Sequence, residues 1–291
     1  MNEIEPTENH PYFDADPTEL IDGIEVGEDD LAFKEATKTL VMTALREIEQ
    51  KYGKDGQGAK PFHDSSHTKE FIIDALKGFD AIAASRPDLN LTAHHKLMLV
   101  RAGAWHDVDQ DQDPEKNEKE SAHLLNKNQE QGVSETDKAL MRRLIEATTF
   151  NFSNHQQKLS KFGDATTAGE ALEQCMALAD LAALGDYDRQ HWRANRLAHE
   201  IKKADDPKAW FGIQIGFLKK QKQYLENSFG SFPVEVLYGE LDRNIELYEG
   251  LNENYEKLLA QDLTNEEIMA KDKPTTDRVK QTLEGIKAGG A

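Results

Sequence analysis

The chain is poor in cysteine, short of basic residues and without any long apolar run. Its 291 residues include one cysteine, Cys175, so no internal disulfide can form. That suits a reducing compartment. Cys175 lies in ALEQCMALADLAAL, where a buried small hydrophobe is expected rather than a nucleophile. Lys and Arg number 35 against 54 Asp and Glu, a formal net charge of −19. Such a field repels duplex nucleic acid and anionic membranes, so neither is an expected partner. A small phosphorylated molecule stays admissible, because a bound cation would dominate the local field. No stretch approaches the roughly 18 apolar residues of a membrane span. The opening residues, MNEIEPTENHPYFDADPTELIDG, have no basic n-region and no apolar h-region. A signal peptide is therefore not expected, and the expected location is the cytoplasm.

Period-two alternation is almost absent, and no internal repeat is found. From Asp30 onward apolar residues recur at three- and four-residue steps: Leu31, Ala36, Leu40, Val41, Ala44, Leu45, Ile48 and Tyr52. This is the mark of an amphipathic helix. GKDGQGAKP then reads as a loop, with no phosphate-binding pattern among its glycines. A second helix carries Phe71, Ile72, Leu76, Phe79 and Ile82, and RPDLN ends it. Thr92 can cap a third helix through LMLVRAGAWHDV. Asp113-Pro114 can open a fourth, and Ser134 a fifth. FNFSNHQQKLSKFGDATT reads as a loop. Thr167 can start a helix reaching Leu184, with Gly185 at its C′ position. Helical stretches follow around 187–203, 208–228 and 234–260. The expected fold is all-α, an irregular multi-helix bundle. Residues 1–28 are acidic and expected to be loose, 29–260 form the all-α domain, and 261–291 are a charged tail whose one weak helix is expected at the periphery.

Chemistry concentrates in three places along this pattern. PFHDSSHT holds His63 and His67, RAGAWHDVD holds the adjacent pair His106-Asp107, and MALADLAALGDY holds Asp180. Two imidazoles and two carboxylates suit a borderline divalent metal. An adjacent His-Asp lets one stretch of backbone supply a nitrogen and an oxygen together. Asp180, among Ala179, Leu181 and Ala182, is the most telling. A carboxylate with such neighbours is costly to bury unless it is paired or bound to a cation. Taken singly, the histidines and the His-Asp pair read better as structural, and Asp180 reads equally well either way; the ordered set on helices points to a metal centre.

With these residues in view, the chain resembles the HD-domain superfamily of metal-dependent phosphohydrolases, most closely a group of small bacterial members. The resemblance rests on Phe62-His63-Asp64-Ser65-Ser66-His67, Ala104-Trp105-His106-Asp107, Asn117-Glu118-Lys119-Glu120-Ser121-Ala122, and Ala179-Asp180-Leu181-Ala182-Ala183-Leu184-Gly185. It covers about residues 31–255, and the motifs are specific in combination. It implies an HD-type bundle that hydrolyses a phosphoester in a small metabolite or nucleotide. It implies one divalent ion (Mn, Fe, Co, Ni, Zn or Mg) held by His67, His106, Asp107 and Asp180. His63 would be the general acid and Glu118 would hold a water beside the ion, with Asp107 shared between the ligand set and the catalytic set. The pattern departs at Phe62, Asp64 and Lys119, where the group has Tyr, Asn and a second Glu. The histidine that many relatives carry after an I-x-x-T segment is replaced here by Phe150-Asn151, so the resemblance carries one ion rather than two. Lys69, Arg101, Arg142 and Arg143 are the basic residues near these motifs, each read as a surface charge before a phosphate contact.

Three other readings compete. DVDQDQDPEKNE, from Asp107 to Glu118, places polar residues at the ligand positions of an EF-hand loop. Gln112 stands where that loop needs Gly, however, and Pro114 at position 8. A di-iron oxygenase on the same fold would need further histidines, for which His123 and His155 are the candidates. A non-catalytic metal-binding or scaffold protein would be favoured by a broken ligand set.

Overall fold

The computed structural model describes residues 16–56, 58–111, 114–129, 133–151, 153 and 155–289. The fold is all-α, with one two-stranded hairpin among the described residues. The elements in chain order are α1 (Pro17–Asp22), α2 (Leu31–Tyr52), α3 (Ser65–Ser85), α4 (Ala93–Trp105), α5 (Pro114–Asn128), α6 (Glu135–Glu146), β1 (Phe150–Asn151), β2 (Gln156–Gln157), α7 (Ala168–Asp180), α8 (Tyr187–Glu200), α9 (Pro207–Ser228), α10 (Glu235–Tyr238), α11 (Leu241–Glu253), α12 (Tyr255–Leu259), α13 (Asn265–Ile268) and α14 (Lys273–Gly289). Among the described residues no helix is long and apolar enough to cross a membrane.

The described chain divides into two compact units, 16–182 with 224–237, and 183–223 with 238–289. In the first unit α4 is the central element. It packs against α2, α3, α5, α6 and α7, and Leu97 through Trp105 are buried without a break. A helix covered on every side needs apolar or small residues all round rather than on one stripe, and LMLVRAGAW supplies them. Arg101 is the exception, and it is neither a surface charge nor a phosphate contact. Its guanidinium lies 3.5 Å over the Phe33 ring and donates to Thr37 Oγ1 at 2.8 Å and the Phe33 carbonyl at 2.7 Å. Buried charge is tolerated only with such partners, and here they clamp α4 onto α2.

Helix starts follow local chemistry. Thr92, Ser134 and Thr167 cap α4, α6 and α7 with their hydroxyls, each accepting from the third residue of its helix. The Asp113 cap expected for α5 lies outside the described residues. α7 stops at Asp180 rather than reaching Leu184, and a 3-10 turn, Ala182–Gly185, follows. The Leu181 amide bonds the Ala179 carbonyl, and the Ala177 carbonyl that would continue the helix accepts from Gln157 Nε2 instead. The segment read as a loop around 150–157 folds into the β1–β2 hairpin, with Phe150 opposite Gln157.

Both ends of the described chain are packed. Ile21 and Ile24 are buried and α1 lies on α2 and α3. α14 buries Thr276, Val279, Lys280 and Leu283 and packs on α8, α11, α12 and α13. The sequence shows it as weak because its apolar residues are few and widely spaced.

The second unit carries an unusual interior histidine. Burial, reinforced by the Lys280 ammonium, pushes His191 down to about 3. In the folded state it stays neutral, while the unfolded chain takes up a proton below about 6.5. This contribution to stability is complete above that value and is lost as pH falls toward 3, on the order of 5 kcal/mol in all. Urea unfolding between pH 7.5 and 4.5 should therefore show a steeper loss of stability in the wild type than in His191→Gln. Equal slopes would remove His191 as an acid-sensitive element.

Candidate metal centre

The centre is assembled from helix ends. Asp64 caps α3, its carboxylate accepting from the Ser66 and His67 amides at 3.0 and 3.2 Å. An Asp does this as well as an Asn, so that departure keeps the cap that sets His67 in the first turn. His106 is the residue that closes α4, and Asp107 follows it. Trp105 anchors this end by donating from Nε1 to the Leu40 carbonyl of α2 at 3.2 Å. Asp180 is the last residue of α7.

His67, His106, Asp107 and Asp180 converge. One donor atom each from His67, His106 and Asp107 lie within 4.8 Å of one another. His67 Nε2 is 3.3 Å from Asp107 Oδ2 and 3.5 Å from Asp180 Oδ1. His106 Nε2 is 3.1 Å from Asp107 Oδ2 and 3.7 Å from Asp180 Oδ1. Asp180 is the most open of the four, with its side chain 18 % exposed against 1 to 8 % for the others. Access to the cluster is therefore from its side.

The donor set fits a divalent cation. His106 Nδ1 lies 2.7 Å from the Gly103 carbonyl, which can only accept, so Nδ1 carries the proton and Nε2 presents its lone pair to the cluster. Although Nε2 and Asp107 Oδ2 are close, their geometry is not that of a hydrogen bond, and both are buried without a hydrogen-bond partner. Buried polar atoms are almost always satisfied; two facing each other unsatisfied leave a place for an ion.

The electrostatics show how strongly the cluster favours positive charge. Burial opposes a charged His106 imidazole, but the Asp107 and Asp180 carboxylates outweigh it and hold the group above its ordinary value. Burial likewise opposes ionised Asp107, but the neighbouring His106 and His67 imidazoles outweigh it and hold the carboxyl well below the usual range. The cluster draws positive charge to itself.

His63 stands beside the four. Its ring centroid is 6.0 Å from that of His67, and the Phe62 ring packs against both, 4.9 Å from each. Glu118, near the start of α5, has a buried Oε2 without a hydrogen-bond partner. Burial, with Asp107 and Asp180 nearby, pushes its carboxyl up to about 7. His123 is exposed on α5 and His155 sits in the hairpin in a left-handed backbone conformation; neither is in the donor group. Arg142 and Arg143 pair with Glu146 and Glu173.

The acidic stretch after Asp107 is held by lysines. Lys51 Nζ donates to the Val108 carbonyl at 3.1 Å and Lys60 Nζ to the Gln110 carbonyl. Asp107, which would be the first ligand of a calcium loop, faces the two histidines instead. Its Gln112 and Asp113 positions lie outside the described residues.

No family model, curated protein or solved structure matches this chain.

Two residues that site patterns did not pick out support His106. Phe71 stacks on its ring, centroids 4.0 Å apart at 26°. Gly103 lets Phe71 come so close, since a Cβ there would lie 2.9 Å from Phe71 Cε1 and 3.0 Å from Cδ1. Gly103→Ala should cost about 1–3 kcal/mol in denaturant unfolding through overpacking. Adding Phe71→Leu should recover part of it. A Gly103→Ala protein with the wild-type midpoint would show that this contact does not constrain the ring.

Proposed function

We propose that the chain is a metal-dependent phosphohydrolase, of phosphatase or phosphodiesterase type, acting on a small phosphorylated metabolite or nucleotide in the cytoplasm. One observation carries the reading: ligand-type side chains from three separate stretches of sequence meet, with donor atoms of His67, His106 and Asp107 in one buried cluster and Asp180 Oδ1 at 3.5 and 3.7 Å from the two imidazoles. The resemblance of their motifs to HD-domain phosphohydrolases supplies the reaction class.

His67, His106, Asp107 and Asp180 would hold one divalent ion. Bound there, such an ion supplies Lewis acidity toward a phosphate oxygen and makes a hydrolytic water available near neutral pH. The chain's own residues do the rest. Glu118 Oε2, buried and without a hydrogen bond, accepts a proton from the attacking water. His63, outside the donor group but beside it, gives a proton to the departing oxygen as the phosphorus–oxygen bond breaks. Such proton transfer contributes typically about 10²–10⁴ in rate. Phe62, packed on both His63 and His67, limits how far the His63 ring can swing.

The test is metal-stripped protein reloaded with Mn²⁺, Fe²⁺, Co²⁺, Ni²⁺, Zn²⁺ or Mg²⁺ and assayed on phosphomonoesters and phosphodiesters. One ion per chain and turnover with at least one metal are expected. Asp180→Ala and His106→Ala should lose the ion and activity, while Asp111→Ala keeps both. His63→Ala should keep the ion and lose more rate on alkyl than on activated aryl esters. Two bound irons would favour the oxygenase reading, and no bound ion the scaffold reading; retention of the ion by His106→Ala with loss by Asp111→Ala would favour the calcium loop.

A further inference from the structure

Asp107 has two carboxylate oxygens on a torsion with a broad, roughly two-fold preference. The two oxygens are equivalent, but the rotation of the carboxylate plane, and so how one oxygen is aimed at the imidazoles, is open unless something fixes it. Gln110 does so: its Nε2 donates to Asp107 Oδ1 at 2.7 Å. This leaves Oδ2 as the atom 3.1 and 3.3 Å from the two histidine Nε2 atoms. A glutamine amide has a donor end and an acceptor end, and only the donor end can meet a carboxylate. Asn117 of α5 selects that orientation, its Nδ2 donating to Gln110 Oε1 at 3.1 Å.

The base of this relay is pinned as well. The Gln110 amide donates to the Tyr52 hydroxyl at 2.7 Å, and the Gln110 carbonyl accepts from Lys60. The Asp109 amide donates to Ser121 Oγ at 3.0 Å. Contacts from α2, α5 and the loop before α3 thus hold the segment still while the amide alone reaches the cluster.

We infer that Gln110, oriented by Asn117, is a positioning residue that fixes Asp107 as a metal ligand. The inference rests on the metal-centre reading above. Partners of ligating side chains typically contribute about 10–100-fold in metal affinity.

The experiment is Mn²⁺ titration of metal-stripped wild type, Gln110→Ala, Asn117→Asp, the double variant and Asp107→Ala, with the thermal midpoint of each metal-free protein. Gln110→Ala should bind Mn²⁺ about 10–100-fold more weakly. Asn117→Asp gives the decisive sign. By charge alone an added carboxylate near the site strengthens cation binding, and near a helix start it stabilises the fold. The relay demands the reverse for affinity: the introduced carboxylate can only accept, so it draws the Gln110 NH₂ to itself and turns the Gln110 oxygen onto Asp107. Asn117→Asp should therefore bind Mn²⁺ more weakly at an unchanged or raised thermal midpoint. In the Gln110→Ala background it should cause no further loss. Unchanged or tighter Mn²⁺ binding by Asn117→Asp overturns the relay, as does wild-type affinity in Gln110→Ala. If Asp107→Ala itself binds like the wild type, the metal-centre reading falls; if it loses the ion while Gln110→Ala keeps it, only the relay falls.

Discussion

Two carboxylates and two imidazoles held together away from solvent need positive charge among them. Ionised groups lose several kcal/mol each on leaving water, and attraction repays that only where opposite charge is close. Without an ion the protein meets this demand with protons, which is why His106 sits above and Asp107 below its ordinary range. A divalent ion would take over the same role. The surrounding structure keeps the groups from drifting apart: Trp105 holds the end of α4 to Leu40, Arg101 clamps its middle to Phe33, and Phe71 lies flat on His106.

Placement at helix ends adds to the field. α4 closes at His106 and α7 ends at Asp180. Each helix C-terminus carries roughly half a negative charge, on top of the two carboxylates. α3 starts just before His67 and opposes this in part. The sum still calls for a cation, and the first and last turns of helices are where side chains from separate elements can meet without breaking a ladder of backbone hydrogen bonds.

Much of the bundle was legible because its signals are local. Thr92, Ser134 and Thr167 announce helix starts by hydroxyl capping, and the apolar steps in 31–52 and 71–82 match α2 and α3. What failed was set by distant partners. Leu184 reads as a helix end, but the Ala177 carbonyl that would continue α7 past Asp180 is taken by Gln157 of the hairpin. Arg101 read as a surface charge, but its partners Phe33 and Thr37 lie in another helix. The division into two units left no trace, because helices of both carry the same 3.6-residue period. At the site, ligand-type residues were visible by chemistry. Gly103, Phe71 and Gln110 were not, and Asn117 stood in a motif without a role, since a glycine, a phenylalanine and two amides show no partner until their neighbours are known.

The accounting of cationic groups bears on the proposed chemistry. A chain of net charge −19 must still admit an anionic substrate. Of the basic residues near the motifs, Arg101 is bonded to Phe33 and Thr37, Arg142 is paired with Glu146, Arg143 with Glu173, and Lys69 is close enough to Asp16 to lower its carboxyl. Lys51 and Lys60 are committed to backbone carbonyls of the acidic stretch. Within the proposed function, the substrate's charge then falls chiefly on the ion and on His63. Each uncompensated phosphate charge would face Asp107, Asp180 and Glu118 at short range. Repulsion of that kind rises with every added phosphate, so within the proposed function a single phosphoryl group would meet less opposition here than a di- or triphosphate.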